Sequence, residues 1–326
     1  MHTKLISTLS AITALLTLSI TASFANAQSP ISEIRGGQDA KNKDFNAVGV
    51  ITELVYDKER KRYVISPSFC TATLISPTQV LTAAHCAMNA KGTKLVDKPI
   101  QAVFLTTDSE FQNLHPWGFA AAAIGFTDLV TNASDLEDFG IHVRDIKPED
   151  IHVHPDTKKA LSKKQFDSQF HPDIAVLAFD KPLTAIPPAR LANKAFFNAL
   201  NPKNKLLATG FGDVTDGFLD GTLQKARLPR IPLSACEKEF NSKKPFNPSV
   251  LCFSNPVKSL CPGDSGGPLW ATNKEGKKLI VGVASFIGSL DPNKPCSENT
   301  TISAFQKPTS MSAWFDSVAN LDYSIR

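Results

Sequence analysis

The chain has 326 residues, 42% of them apolar and 20% charged, an ordinary globular composition with enough residues to bury a sizeable core. Its formal net charge of +4 is mild. That argues against nucleic acid as a partner, because nucleic-acid binders concentrate basic residues on one face.

The N-terminal segment reads as an address and not as fold. Lys4 supplies a positive start, residues 11–20 are largely apolar, and Ala25-Asn26-Ala27 has the small-x-small pattern that signal peptidase reads. Residues 1–27 are therefore expected to be a signal peptide. The apolar stretch falls short of the about 20 residues of a membrane span, with an uncleaved anchor as the alternative. No later segment has the length and apolarity to span, so the expected product is exported to the periplasm or the extracellular space, free of the membrane, and monomeric. Six cysteines, an even number in an exported chain, point to disulfides but leave their pairing open.

Beyond Ala27 the chain alternates short β-rich runs with Gly, Pro, Asn and Asp. Residues 48–55, 71–75, 101–105, 174–179, 205–209 and 279–285 read as strands. The charge run 58–62 reads as a solvated hairpin tip. His152 and His154 are expected on one face of a strand, without a further ligand to complete a metal site. Residues 120–124 read as packing. Asn132-Ala133-Ser134 and Asn299-Thr300-Thr301 are glycosylation sequons. Residues 183–188, rich in proline, read as a linker between two halves. Residues 310–321 place Met311, Trp314, Phe315 and Val318 at helical spacing. Many short strands and one terminal helix predict an all-β barrel architecture.

Three segments carry chemistry. In Leu81-Thr82-Ala83-Ala84-His85-Cys86, small residues before the histidine and a cysteine after it predict a pinned imidazole. In Asp173-Ile174-Ala175-Val176-Leu177, an acid stands at the entrance of a buried strand, where it is desolvated. In Gly263-Asp264-Ser265-Gly266-Gly267-Pro268, glycines let the backbone turn tightly around a serine. A serine hydroxyl becomes a useful nucleophile when a base takes its proton, a carboxylate holds that base, and backbone N–H groups await the oxyanion.

These motifs resemble the chymotrypsin/trypsin-like serine proteases, over nearly all of the chain beyond the signal, and in the His, Asp, Ser order of that group. The resemblance implies two antiparallel β-barrels packed together with a C-terminal helix, the first at about 34–185 and the second at about 186–326. It implies His85 as general base and acid, Asp173 as its orienter, Ser265 as nucleophile, and the N–H groups of Gly263 and Ser265 as oxyanion hole. It pairs Cys70 with Cys86, Cys236 with Cys252 and Cys261 with Cys296. It requires no metal or organic cofactor.

Ile34-Arg35-Gly36-Gly37 resembles the family's new N-terminus. By that likeness 28–33 is a short propeptide, cleavage after Glu33 frees the Ile34 ammonium, and the cation pairs with Asp264. Arg35 departs from the usual valine. In trypsin-like members an aspartate six residues before the nucleophile selects Arg or Lys; here that position is Ser259, which predicts weak cleavage after basic residues. Ser285-Phe286-Ile287 resembles the substrate-pairing strand, with Ile287 or Gly288 at its glycine position and Thr301 at a second wall position. Ile287 and Thr301 favour small or medium apolar residues; Gly288 in the first place leaves a deeper pocket. Glu33 suits neither, which points to a separate activating protease. Much of 113–155 reads as an inserted loop near the cleft. Partners are then protein or peptide substrates and the activator. The competing readings are a catalytically silent homologue that binds without cutting, and an esterase using the same chemistry.

Overall fold

The computed structural model describes residues 34–40, 44–52, 54–57, 62–65, 70–106, 137, 140–212, 223–289, 296 and 300–319. Residues 1–33, read above as signal peptide and propeptide, and residues 58–61, 107–136 and both sequon asparagines lie outside the described residues.

Two sheets carry the fold. The first runs in space Ile141–Ile146, Ile100–Leu105, Val48–Thr52, Cys70–Ser76, Gln79–Thr82, Ala175–Ala178 and Ile151–Val153, antiparallel throughout. The second runs Gln38–Asp39, Gln224–Leu228, Leu206–Gly210, Pro268–Thr272, Lys278–Ser289, Thr300–Gln306, Val250–Ser254 and Arg230–Ile231. Its ninth strand, Arg190–Leu191, pairs in parallel with Lys278–Ser289. With the short helix Ser312–Val318 at its end, this is the chymotrypsin-like architecture.

Apolar residues on the inner faces explain why the strands hold. Ala72, Leu74, Val80, Ala102, Phe104, Ala175 and Leu177 are fully buried in the first core, and Ala208, Leu269, Val281, Phe253 and Phe305 in the second. At about 25 cal/mol per Å², such side chains contribute most of the stabilisation. Residues 183–188 are not a loose tether: Leu183 and Ile186 are buried in the first core, and the Leu183 N–H donates to the Pro77 carbonyl at 2.7 Å.

Several expectations need correction. Three helices, Pro155–Ser162, Lys194–Ala199 and Leu233–Glu239, fall where no helix was expected. Each has eight residues or fewer, too short for apolar periodicity to register. His152 lies in a strand, but His154 caps the first of these helices, its Nδ1 accepting from the Asp156 N–H at 3.2 Å. The presumed insertion ends earlier than 155, because 141–146 and 151–153 are strands of the first sheet. The charge run is flanked by a hairpin that pairs Asp57 with Arg62. Among the described residues no helix is long and apolar enough to cross a membrane.

Candidate active site

Strand register brings the histidine and the aspartate together. Ala175 sits opposite Thr82 in an antiparallel pair, so Asp173 and His85 leave the sheet at the same end. His85 then enters a single 3-10 turn, Ala84–Ala87, pinned by the Cys70–Cys86 disulfide. Asp173 is fully buried and accepts the His85 backbone N–H at 2.9 Å through Oδ1. Its Oδ2 lies 2.8 Å from His85 Nδ1 and accepts the Ser285 hydroxyl at 2.6 Å. Burial alone would push the Asp173 carboxyl up, but the facing imidazole and these donors hold it below the usual carboxylate range. Burial likewise favours neutral His85, yet the charge and hydrogen bond of Asp173 outweigh it and raise the imidazole. The His85 side chain keeps a third of its surface open, which leaves one edge for chemistry.

Ser265 lies on the next wall. The Thr71 N–H donates to the Ser265 carbonyl at 2.8 Å, and the Thr71 hydroxyl to the Gly263 carbonyl at 2.8 Å. Thr71 adjoins Cys70, so one strand touches both the histidine disulfide and the serine loop. Gly266 has φ +82°, and a Cβ there would run into the Thr71 carbonyl and the Thr82 hydroxyl, the latter two residues before the His85 turn. Among the described residues the Ser265 hydroxyl makes no hydrogen bond to His85; such bonds commonly tighten only when substrate is bound. The N–H groups of Asp264, Gly266 and Gly267 all have backbone acceptors. Those of Gly263 and Ser265 have none among the described residues, which leaves two donors for an oxyanion.

Asp264 points away from Ser265 into the second core. It is fully buried and accepts the Gly212 and Cys261 N–H groups, each at 2.8 Å. Burial outweighs these donors and pushes its carboxyl up to about 7. Ile34 is also fully buried, in the cluster that includes Leu260, and Arg35 forms a bridge with Ser259. The Ile34 segment therefore packs on the stretch that leads into Asp264.

Ile287 pairs with Ser303. Thr301, expected as a second wall residue, stands in the same strand as Ser303, and its side chain lies outside the described residues. Ser303 is buried and its hydroxyl accepts the Leu260 N–H at 3.0 Å. Ser285 was expected only for its strand position. The register shifts between Ala284 and Phe286, and such a bulge re-aims a side chain, here toward Asp173. Phe286 packs edge-on against Phe240 and Phe246, and Gly288 abuts Phe240. Ser259 is fully buried. The remaining cysteines pair as Cys236–Cys252 and Cys261–Cys296, the latter tying the serine loop to the segment after the pocket strand.

Comparison with known proteins places the chain in a family. A stretch of 128 residues is 35% identical to trypsin iota of Drosophila melanogaster, covering 38% of this chain and 48% of that protein. A longer alignment of 279 residues, at 26% identity, covers 79% of this chain and 60% of the CLIP domain-containing serine protease B8 of Anopheles gambiae. The chain thus spans between about half and three-fifths of these relatives' own lengths. The family model named Trypsin matches residues 34–109 and 128–315, beginning at Ile34 and leaving out only 110–127 between its two parts. With most of its length matched, the chain belongs to the trypsin family.

Proposed function

We propose that this chain is the exported precursor of a serine endopeptidase, with His85, Asp173 and Ser265 as its catalytic residues. The observation that carries the reading is the hydrogen-bonded series Ser285–Asp173–His85 beside a serine loop with two open N–H donors. Ser265 Oγ attacks the substrate carbonyl carbon while His85 takes its proton. Asp173 keeps Nδ1 protonated, so that Nε2 is the basic nitrogen, and stabilises the imidazolium that forms. The oxyanion is met by the N–H groups of Gly263 and Ser265. His85 then protonates the leaving amine, and water hydrolyses the acyl-enzyme by the same route in reverse.

Activity follows cleavage between Glu33 and Ile34 by a protease that accepts glutamate. The freed Ile34 ammonium supplies the buried Asp264 with a counter-ion, and that pairing holds the serine loop. Ser259 provides no carboxylate for a cationic side chain, so cleavage after Arg or Lys is weak. Ile287 and Ser303 narrow the pocket to small and medium side chains. A fluorophosphonate probe should label the processed protein and not its Ser265→Ala variant, and the labelled form should cut peptides. Absence of labelling in correctly processed protein would favour the catalytically silent reading.

A further inference from the structure

Ser259, which the protease reading puts at the floor of the specificity pocket, is backed by a cation. The Arg35 Nε donates to the Ser259 hydroxyl at 3.1 Å, and its Nη1 to the Pro256 carbonyl at 3.1 Å. The backbones are joined as well, the Ser259 N–H donating to the Arg35 carbonyl at 3.2 Å. Gly36, with φ +66°, brings the chain against the Val257 carbonyl. Arginine stands where the family usually has valine, so this contact belongs to this chain.

A hydroxyl that accepts from a guanidinium keeps its own hydrogen to give. Ser259 is in that state, and among the described residues its hydrogen has no acceptor. Ser303 repeats the pattern: its oxygen accepts the Leu260 N–H, and its hydrogen has no acceptor among the described residues. Leu260 follows Ser259 directly, and Ser303 lies across the sheet from Ile287. Floor and wall therefore each offer a buried donor, with a positive charge one hydroxyl behind. A carboxylate matches that set, because it accepts only and carries the opposite charge. An ammonium or guanidinium would instead meet the like charge of Arg35 behind the Ser259 hydroxyl.

We propose that Ser259, Ser303 and Arg35 form an anion-accepting pocket floor, so that the mature enzyme cleaves after glutamate. The inference rests on the protease reading above, with Ser259 at the pocket floor, and it replaces the apolar preference expected from Ile287 and Thr301, while keeping the weak cleavage after Arg or Lys expected from Ser259. It also gives Glu33 a role. The residue before Ile34 is then the enzyme's own preferred one, and a mature copy can process a precursor. In that step Ser265 Oγ bonds to the Glu33 carbonyl carbon, and its proton passes through His85 to the Ile34 nitrogen as the C–N bond breaks. Water then hydrolyses the glutamyl ester and returns a proton to Ser265.

The test uses mature enzyme and peptides that differ only in having Glu, Gln, Leu or Lys before the cleaved bond. The ratio of kcat/KM for Glu over Gln is read within one preparation, so loss of active fraction cancels. Wild type should favour Glu about tenfold or more, a modest sum for a charge and two hydrogen bonds. Arg35→Met should bring the ratio near unity, and Arg35→Lys should recover part of it. A purely structural role for Arg35 would lower all rates and leave the ratio unmoved. The Ser265→Ala precursor, incubated with mature enzyme, should acquire Ile34 as its N-terminus, and its Glu33→Gln form should be processed more slowly by the same ratio. A wild-type ratio near unity, or one unchanged in Arg35→Met, overturns the proposal; a precursor left intact overturns self-processing. If no peptide is cut and no fluorophosphonate label enters Ser265, the protease reading itself falls.

Discussion

Asp173 and His85 are each useless for acyl transfer alone, and what joins them is a carboxylate oxygen shared between two donors. Ser285 supplies one of those donors at 2.6 Å from a buried position. Ser285→Ala should lower kcat by about tenfold to a hundredfold, the size of one hydrogen bond to a buried charge, with a smaller change in KM. Equal labelling of wild type and variant by fluorophosphonate would contradict it. The pH profile follows from the same contacts. Asp173 raises His85 above the about 6.5 of a free imidazole. The base must be neutral to accept a proton, so kcat/KM should fall as pH drops through that raised value. Asp173→Asn removes the cause, and the acid limb should then move down in pH while the rate falls by about ten-thousandfold. The histidine, aspartate and serine were legible because each sits in a short motif with its own local reason. The Ser285 and Ser303 hydroxyls were not, because their direction depends on a bulge and on a register between distant strands.

The strands were legible wherever β-branched and apolar residues ran unbroken, as in Cys70–Ser76 and Ile100–Leu105. The helices of six to eight residues were not, since they take their stability from packing and caps such as Asn193 on Phe196. The serine loop shows how an element can be specified by what it must avoid. Gly266 adopts φ +82° and lies against Thr82 and Thr71 with no room for a side chain. Gly266→Ala should therefore push the loop off the strand that carries Thr71, displacing Ser265 and its N–H donors together. The expected result is a fall in kcat/KM of more than a hundredfold, with destabilisation of about 1–3 kcal/mol from the strained backbone and overpacking. Thermal unfolding and probe labelling measure the two parts separately, and a variant with near-normal labelling would show that the loop tolerates the shift.

At the scale of the molecule, the proposed activation turns on where Asp264 finds its counter-ion. In the uncleaved chain its carboxyl is raised to about 7, against about 3.9 when unfolded. A raised acid contributes its full stability below the unfolded value and loses it as pH climbs toward the folded one. The precursor should therefore weaken between about pH 4 and pH 7, by roughly 4 kcal/mol at most if this were the only group to titrate. After processing, an Ile34 ammonium beside Asp264 favours the ionised form and pulls its pKa back down, so the mature protein escapes that loss. Comparing the two forms in a Ser265→Ala background removes proteolysis and cancels the titrating side chains from residue 35 onward, which they share. The gap in Tm between mature protein and precursor should widen from pH 4.5 to pH 7.5. With Asp264→Asn there is no charge to bury, and the gap should stay constant across that range. A gap that is flat with Asp264 intact would mean that the new N-terminus does not reach this carboxylate, and the cation that orders the serine loop would have to be sought elsewhere.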